Sequence, residues 1–431
     1  MTSETIQASA RAGSAPVRAA NHILGVLCLM YLMLYVDRVN IATVAPQITS
    51  DLGLSHAQFG FAVSAFAYPY ALFQLVGGWV GDRLGPRLAL LLCGIVVCVA
   101  TVLTGLAGGI ASLVAARLAL GFGEGSAFPT ATRAMAIWIP ADRWGFAQGI
   151  THAAARLGNA ITPLLIAGLL GYVSWRMSFV VMGLFSIIWI VLWQWVSQNG
   201  AKQLDAASRG ESGSAAVTAS ANSDRPYSSV PWSKLARRML PVTAVDFCYG
   251  WTLWVSLTWL PSFFLQNFHL DLQRSALFTS AVLLSGVVGN AAGGSLSDLI
   301  YRRTGNLRLA RRNLIIFGLL GALVFLLPVV VSRDLAVVTL SLAATCFCSE
   351  LIVGPIWAVP MDIAPDYAGS ASGIMNFGFG LAGIVSPVVF GSLLDLTGNW
   401  TTPFYCSIFL LMLGALLSFQ MRPEKPFLVT K

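Results

Sequence analysis

Long apolar runs separated by short charged or turn-rich segments organise this chain from end to end. A helix needs about 20 predominantly apolar residues to cross a hydrocarbon core. Runs of that order lie at Ile23–Val44, Ala57–Val80, Leu88–Ala107, Ile110–Ala131, Phe146–Leu170 and Phe179–Val196. Six more follow at Leu240–Phe264, Leu277–Ile300, Leu314–Val331, Leu335–Val359, Ala371–Leu394 and Thr402–Phe419. None shows the ten-residue alternation of a membrane barrel, so the pattern predicts an all-α integral membrane protein of 12 transmembrane helices. Residues 197–234 are rich in Ser, Ala, Asn and charge and carry no sustained apolar period, which reads as a flexible linker. The expected organisation is a six-helix bundle over 1–196, a linker over 197–234 and a second six-helix bundle over 235–431.

Composition agrees with a lipid environment. Hydrophobic residues make up 56% of the chain and charged residues only 10%, with a mean hydropathy of +0.74. Soluble domains carry roughly 25% charged residues. The net charge of +8 is a topology signal rather than a binding patch. One side of the membrane receives Arg11 and Arg18, Arg83 and Arg87, Arg133 and Arg143, and the linker basics through Arg237 and Arg238. It also receives the cluster Arg302, Arg303, Arg308, Arg311 and Arg312, followed by Arg422, Lys425 and Lys431. The other side receives only Arg176, Arg274 and Arg333. The positive-inside rule makes the first side cytoplasmic, with both termini and the linker there. These basic residues sit in scattered short loops without a recognition motif, which argues against nucleic-acid binding.

The first twenty residues lack the apolar core of a cleavable signal, so the first span is expected to direct insertion into a cell (inner) membrane. The seven cysteines lie in apolar spans without a Cys-x-x-Cys or zinc spacing and read as small hydrophobes. The four histidines are too dispersed for a metal site. No cofactor is expected.

The two halves repeat. Gly78-x-x-x-Asp82 recurs as Gly294-x-x-x-Asp298, Glu124 before Pro129 as Glu350 before Pro355, and Gly149-Ile150 as Gly373-Ile374. Pro163 recurs as Pro387 and Trp175 as Trp400. The offset stays near about 220 residues, the mark of two parallel copies of one six-helix unit.

Charges inside the apolar runs carry the functional signal. Arg117 and Glu124 stand close to two helical turns apart, so both project from one side of the fourth span. A charged side chain at the bilayer centre costs roughly 2.5 to more than 10 kcal/mol, so such residues face a partner or a watery cavity. Two readings follow: a transport site, or a buried ion pair that only holds helices in register.

The stretch Gly78-Trp-Val-Gly-Asp82-Arg83-Leu-Gly85-Pro-Arg87 resembles the G-x-x-x-D-R-x-G-x-R loop motif of the major facilitator superfamily, between spans two and three where that family carries it. The second copy keeps Gly294 and Asp298 and then departs to Tyr301-Arg302-Arg303-Thr304-Gly305. Within that superfamily, Tyr35-Val-Asp37-Arg38-Val-Asn40, Arg117-x6-Glu124 and Phe128-Pro129 resemble the anion:cation symporter branch. The resemblance implies an alternating-access carrier of sugar acids such as galactonate, glucarate and hexuronates, or of other organic acids, driven by protons. It also implies that Gly78, Asp82, Arg83, Gly85, Arg87 and Asp298 form a gating motif.

Physical chemistry then distributes roles. Arg binds carboxylates bidentately and keeps its proton, which makes Arg38 the expected substrate anchor. A proton carrier needs a group whose ionisation burial and a neighbouring cation can tune, and Asp37 and Glu124 fit, with Arg117 alternating between partners. Arg156 in span five offers a second positive contact for a dianion, or a partner for a carboxylate elsewhere. Asp246 and Glu350 add acids to the second half; either carries a proton, pairs with Arg156 or sits at a gate. Tyr35, Tyr70, Gln74, Trp254, Trp357 and Asn376 lie on spans that the superfamily uses to line its pathway, and their hydroxyl, amide and ring groups suit substrate contact. The glycine-rich stretches 121–125, 286–294 and 378–383 lie inside apolar spans and read as close-packing surfaces, not phosphate loops.

The expectation is therefore a secondary transporter rather than an enzyme: a monomeric proton symporter taking up a small organic anion such as a hexonate, hexuronate or glucarate. Aromatic acids such as phthalate or hydroxyphenylacetate, dicarboxylates such as tartrate, and export of metabolites or drugs by the same fold remain alternatives. A membrane sensor or channel is the alternative of a different class.

Overall fold

In the computed structural model, residues 17–54, 56–210 and 230–427 are described. Arg11, Lys431 and linker residues 211–229 lie outside the described residues. The described chain is helical throughout its main elements and contains no strand. The first six long helices are α1 (Val17–Thr43), α2 (Ala67–Leu84), α3 (Pro86–Gly105), α4 (Ile110–Trp138), α5 (Trp144–Leu170) and α6 (Trp175–Gly210). The second set is α7 (Trp232–Asn267), α8 (Leu272–Thr304), α9 (Leu314–Val331), α10 (Leu335–Leu351), α11 (Ala368–Thr397) and α12 (Thr402–Ser418). These match the twelve expected runs. α6 runs on to Gly210, into the segment whose composition suggested a linker.

Prolines explain where two spans differ from continuous rods. The second span begins as a separate helix, His56–Ser64, and breaks before α2. Pro69 has no N–H to offer the carbonyl four residues earlier, and its ring crowds that carbonyl, so the chain bends at Ala65 and Phe66. α10 likewise ends at Leu351, and a second helix, Val353–Ile363, continues the span. Pro355 leaves the Leu351 carbonyl without its helical donor. Gly293 of α8 packs so tightly on that freed carbonyl that any side chain there would collide with it. Aspartates close the starts of two helices by accepting from backbone N–H groups. Asp271 accepts from Arg274 at 2.8 Å and Asp334 from Val337 at 2.9 Å.

Packing repeats with the sequence. In the first half α1 packs on α5 and α6, α2 on α4, and α3 on α4 and α6; in the second, α7 packs on α11 and α12, α8 on α10, and α9 on α10 and α12. The halves meet through α2 on α11 and α8 on α5, which are also repeat mates. On the periphery, Leu88, Leu92, Ile95, Val99 and Leu103 of α3 stay exposed at helical spacing. Phe317, Leu320, Val324 and Val331 do the same on α9. Soluble proteins do not leave apolar stripes of this extent bare, whereas hydrocarbon solvates them. Eight helical spans among the described residues are long and apolar enough to cross a membrane.

One end of the bundle is latched by two acidic residues. Asp82 at the end of α2 accepts from the backbone N–H groups of Gly369 (3.0 Å) and Ser370 (2.6 Å), which open α11. Asp298 in α8 accepts from Gly145 (3.0 Å) and Phe146 (2.5 Å), which open α5. Each carboxylate thus sits on the positive end of a helix from the opposite half. Glycines permit this approach: a side-chain carbon on Gly78 would overlap the Gly369 carbonyl, and one on Gly149 would overlap the Asn290 carbonyl.

Candidate transport site

At the centre of the bundle, two arginine–glutamate pairs lie on either side of Tyr35. In the first, Arg38 Nε donates to Glu124 Oε2 at 2.5 Å, and the Glu124 side chain is completely buried. The spacing of α1 brings Tyr31, Tyr35 and Arg38 onto one face. There the guanidinium carbon stands 4.6 Å from the Tyr35 ring, 5.1 Å from Phe66, 4.4 Å from Tyr70 and 5.3 Å from Phe128. Four aromatic rings thus enclose one cation and supply the attraction that water would otherwise provide.

The second pair joins the two halves. Arg156 Nη2 of α5 lies 3.1 Å from Glu350 Oε1 of α10. Tyr249 of α7 ties them together, its hydroxyl accepting from Arg156 Nη2 and donating to Glu350 Oε1, both at 3.1 Å. Asn290 of α8 donates to the other Glu350 oxygen at 2.6 Å. The Tyr35 ring lies 5.5 Å from the Arg156 guanidinium carbon, so one phenol ring touches both cations.

Beside this second pair is a narrow cavity, lined by Tyr35, Tyr70, Phe128, His152 and Arg156 of the first half and by Tyr249, Val353, Trp357, Asn376 and Phe379 of the second. Arg156 Nε and Nη1 and His152 Nε2 are buried without a hydrogen-bond partner. Unpaired buried donors are costly unless something binds them, and Arg156 brings two such donors to this wall.

The structure places Tyr35, Tyr70, Arg156, Trp357 and Asn376, five of the residues expected to contact substrate, in the cavity wall. Arg38, the expected anchor, stands behind Tyr35 and Tyr70, bound to Glu124. Gln74 is buried with both amide atoms unpartnered, outside that lining, and its carbonyl meets Gly373 of α11. Trp254 packs against Phe379, 5.6 Å between rings. Asp37 accepts from Thr101 at 3.2 Å and borders a separate apolar gap between α1, α3, α4 and α6. Arg117 shares a helix with Glu124, yet no carboxylate among the described residues lies within 4.0 Å of it; its guanidinium sits 5.1 Å from the Phe66 ring. Asp246 is fully buried with both oxygens unpartnered.

At the latched end, Arg133 reaches Asp82 at 3.4 Å and donates to the Pro365 carbonyl at 2.5 Å. Arg311 bridges Asp298 (2.8 Å) and Asp362 (2.9 Å). Arg83 lies over Trp79 at 5.1 Å, and Arg87 turns outward to Gln194 at 3.3 Å. Gly85 joins α2 to α3 at φ 77°, a conformation that suits glycine. Sequence reasoning missed Tyr249, Asn290, Arg133, Arg311 and Asp362 as site or latch members. Asn290 had a visible signal, a lone amide within the glycine-rich stretch 286–294.

Twelve helices in two packed repeats around a charged central cavity are the architecture of a membrane transporter. The family model described as "Major Facilitator Superfamily" matches residues 27–387 and 305–429, and the chain belongs to that superfamily. It is 46% identical over 407 residues to a protein of Cupriavidus necator named "Probable sulfoacetate transporter SauU", covering 94% of this chain and 95% of that one. It is 30% identical over 391 residues to the D-galactonate transporter of Escherichia coli, covering 88% and 90%. The fold matches the proton:xylose symporter XylE with a TM-score of 0.77 at 17% identity, covering 94% of this chain and 96% of the other. The Cupriavidus and Escherichia relatives are named as transporters of organic anions, consistent with the anion-transporter branch that the sequence motifs resembled, and neither is an enzyme.

Proposed function

We propose that this chain takes up a short organic dianion, of the kind in which a carboxylate and a sulfonate share a two-carbon frame, together with protons. The single observation that carries the reading is Arg156: a buried guanidinium with two unpartnered nitrogens in the wall of the central cavity. A guanidinium fork suits sulfonate and carboxylate oxygens alike. The rest of the wall favours a small, hydroxyl-poor guest, because rings outnumber amides and hydroxyls: Phe128, Phe379, Trp357 and three tyrosines surround Asn376 and His152. The name of the Cupriavidus relative points to the same substrate class. A sugar acid, as in the galactonate relative, brings hydroxyl groups along its whole length that this wall has few partners to meet.

In this reading the anion enters from the unlatched side and meets Arg156, while Arg38 behind Tyr35 sets the positive field of the site. Glu124 and Asp37 exchange protons with the cavity, so that uptake draws on the proton gradient. The halves 1–196 and 235–431 then rock about the site as the Asp82 and Asp298 latches open and close. Basic loops support a cytoplasmic side for the latched end and both termini, with the carrier in a cell inner membrane. One copy contains the whole cavity, in keeping with a monomer.

The test is uptake of labelled sulfoacetate by proteoliposomes holding the purified protein. An inward proton gradient is expected to drive accumulation that unlabelled sulfoacetate competes away and galactonate competes poorly. Accumulation of galactonate instead, or none with any acid of a sugar-acid, aromatic-acid and dicarboxylate panel, contradicts the reading.

A further inference from the structure

Arg117 and Arg156, both buried, and the partly buried Arg38 stand with three carboxylates, Asp37, Glu124 and Glu350, while a fourth, Asp246, is buried without any partner. An isolated buried carboxylate is neutral rather than ionised, so this central charge set is balanced when the cavity is empty. A dianion added to that set leaves two negative charges in a low-dielectric site, a cost that proton uptake by two carboxylates removes. Glu124 and Asp37, which exchange protons with the cavity in the reading above, share one of the two. We infer that Glu350 supplies the second: one acidic group of the substrate displaces Glu350 from Arg156, and the released carboxylate takes a proton from the water that the cavity faces. Two protons then cross with each dianion, and the loaded carrier moves no net charge. This inference rests on the dianion reading above.

The geometry carries the assignment of Glu350. It is the repeat mate of Glu124, and both glutamates hold an arginine of the first half. Glu124 finds its arginine within its own half, whereas Glu350 reaches across the halves. Substrate bound to Arg156 therefore competes directly with a bond that holds the halves together. The groups around Glu350 allow the exchange. α5 presents Arg156 and, one turn earlier, His152; α7 presents Tyr249, while Asp246, three residues earlier on that helix, is buried without a partner; α8 presents the Asn290 amide; α1 places Tyr35 against Arg156. Cys346 stands one turn back on its own helix, and α9 carries no titratable side chain. Arg156 is thus the sole cation within 4.0 Å of Glu350 among the described residues. After displacement, Tyr249 and Asn290 remain to hold a neutral Glu350: a carboxylic acid accepts from the Asn290 amide and donates its proton to the Tyr249 oxygen.

The experiment measures proton-to-sulfoacetate stoichiometry in proteoliposomes, from the proton gradient that balances a sulfoacetate gradient at clamped membrane potential. The wild type is expected to give two protons per sulfoacetate and transport that does not respond to membrane potential. Glu350→Gln is expected to give one, so that an inside-negative potential now opposes uptake. Asp246→Asn is expected to keep two. A wild-type value other than two overturns the inference, and this arm does not depend on a variant folding. Two protons in Glu350→Gln also overturn it, whatever Asp246→Asn does. A wild type that moves galactonate but not sulfoacetate, or no acid at all, takes down the substrate reading and with it this inference.

Discussion

Glu124 and Glu350 occupy equivalent places in the two repeats, and each is buried against one arginine, yet the two pairs do different things. The Arg38–Glu124 pair is internal to the first half and wrapped by four rings. The Arg156–Glu350 pair spans the halves and leaves two guanidinium nitrogens free toward the cavity. A pair inside one rigid body changes its charge state without moving that body. A pair between bodies cannot be exchanged without changing what holds them together. Repetition thus gave two similar charge pairs, and in the proposed mechanism their placement relative to the interface separates tuning of the cavity field from the coupling of substrate to motion.

The sharpest way to break this comparison is to remove the two arginines in turn. Arg156→Gln strips the cavity wall of its cation and leaves Glu350 buried alone; losing one partner of a buried pair costs about 3–5 kcal/mol. Sulfoacetate affinity, read by isothermal titration of purified protein, is expected to fall by more than about 100-fold, a ratio worth about 2.7 kcal/mol. Arg38→Ala is expected to abolish accumulation in proteoliposomes while the protein still reaches the membrane. Its affinity loss should be smaller than that of Arg156→Gln. Arg38→Lys should rescue poorly, because a compact ammonium cannot reproduce the guanidinium's contacts with Glu124 and the rings around it. A larger affinity loss in Arg38→Ala than in Arg156→Gln would exchange the two roles.

Glu124→Gln keeps the shape of the carboxylate and cannot titrate. Counterflow of sulfoacetate without a pH gradient is expected to stay within about threefold of the parent, a difference of about 0.7 kcal/mol, while gradient-driven accumulation drops because one of the two proton places is gone. Undiminished concentration of substrate by this variant would move the proton site elsewhere. The smallest effect belongs to the latches. Asp82→Asn and Asp298→Asn each weaken hydrogen bonds to a helix N-terminus, and bonds to a charged group are worth about 1.5–3 kcal/mol. Both variants should expose that end of the bundle to a water-soluble thiol reagent at a cysteine introduced for the purpose, with binding of sulfoacetate retained. Asp298→Asn should expose it more, since Arg311 holds Asp298 at 2.8 Å whereas Arg133 reaches Asp82 only at 3.4 Å. Equal, wild-type protection in both would show that the carboxylates do not hold the end closed.

The fold was legible because each span announces itself within one stretch of about 20 residues. The repeat was legible because Asp82 and Asp298, or Glu124 and Glu350, keep their distance in sequence. The kinks at Pro69 and Pro355 follow from the missing donor, a local property that helix boundaries drawn from hydropathy alone pass over. Partnership was harder. Helical spacing shows that Arg117 and Glu124 face one way, but a helix face says nothing of which neighbour fills the space before it. Glu124 is taken by Arg38, which α1 delivers, and Arg117 is left to the Phe66 ring. Tyr249 is one aromatic among many in an apolar run, and its place between Arg156 and Glu350 exists only once α5, α7 and α10 converge.

The central claim is that the cavity beside Arg156 is made for a small anion with two charged ends. Its most direct test is competitive binding to the purified wild-type protein, with labelled sulfoacetate displaced by unlabelled sulfoacetate, acetate, methanesulfonate and galactonate. Either monoanion offers only one of the two groups, so the account predicts that sulfoacetate competes at concentrations at least about 100-fold below all three others, a gap of about 2.7 kcal/mol. Equal competition by acetate or methanesulfonate, or stronger competition by galactonate, would contradict it.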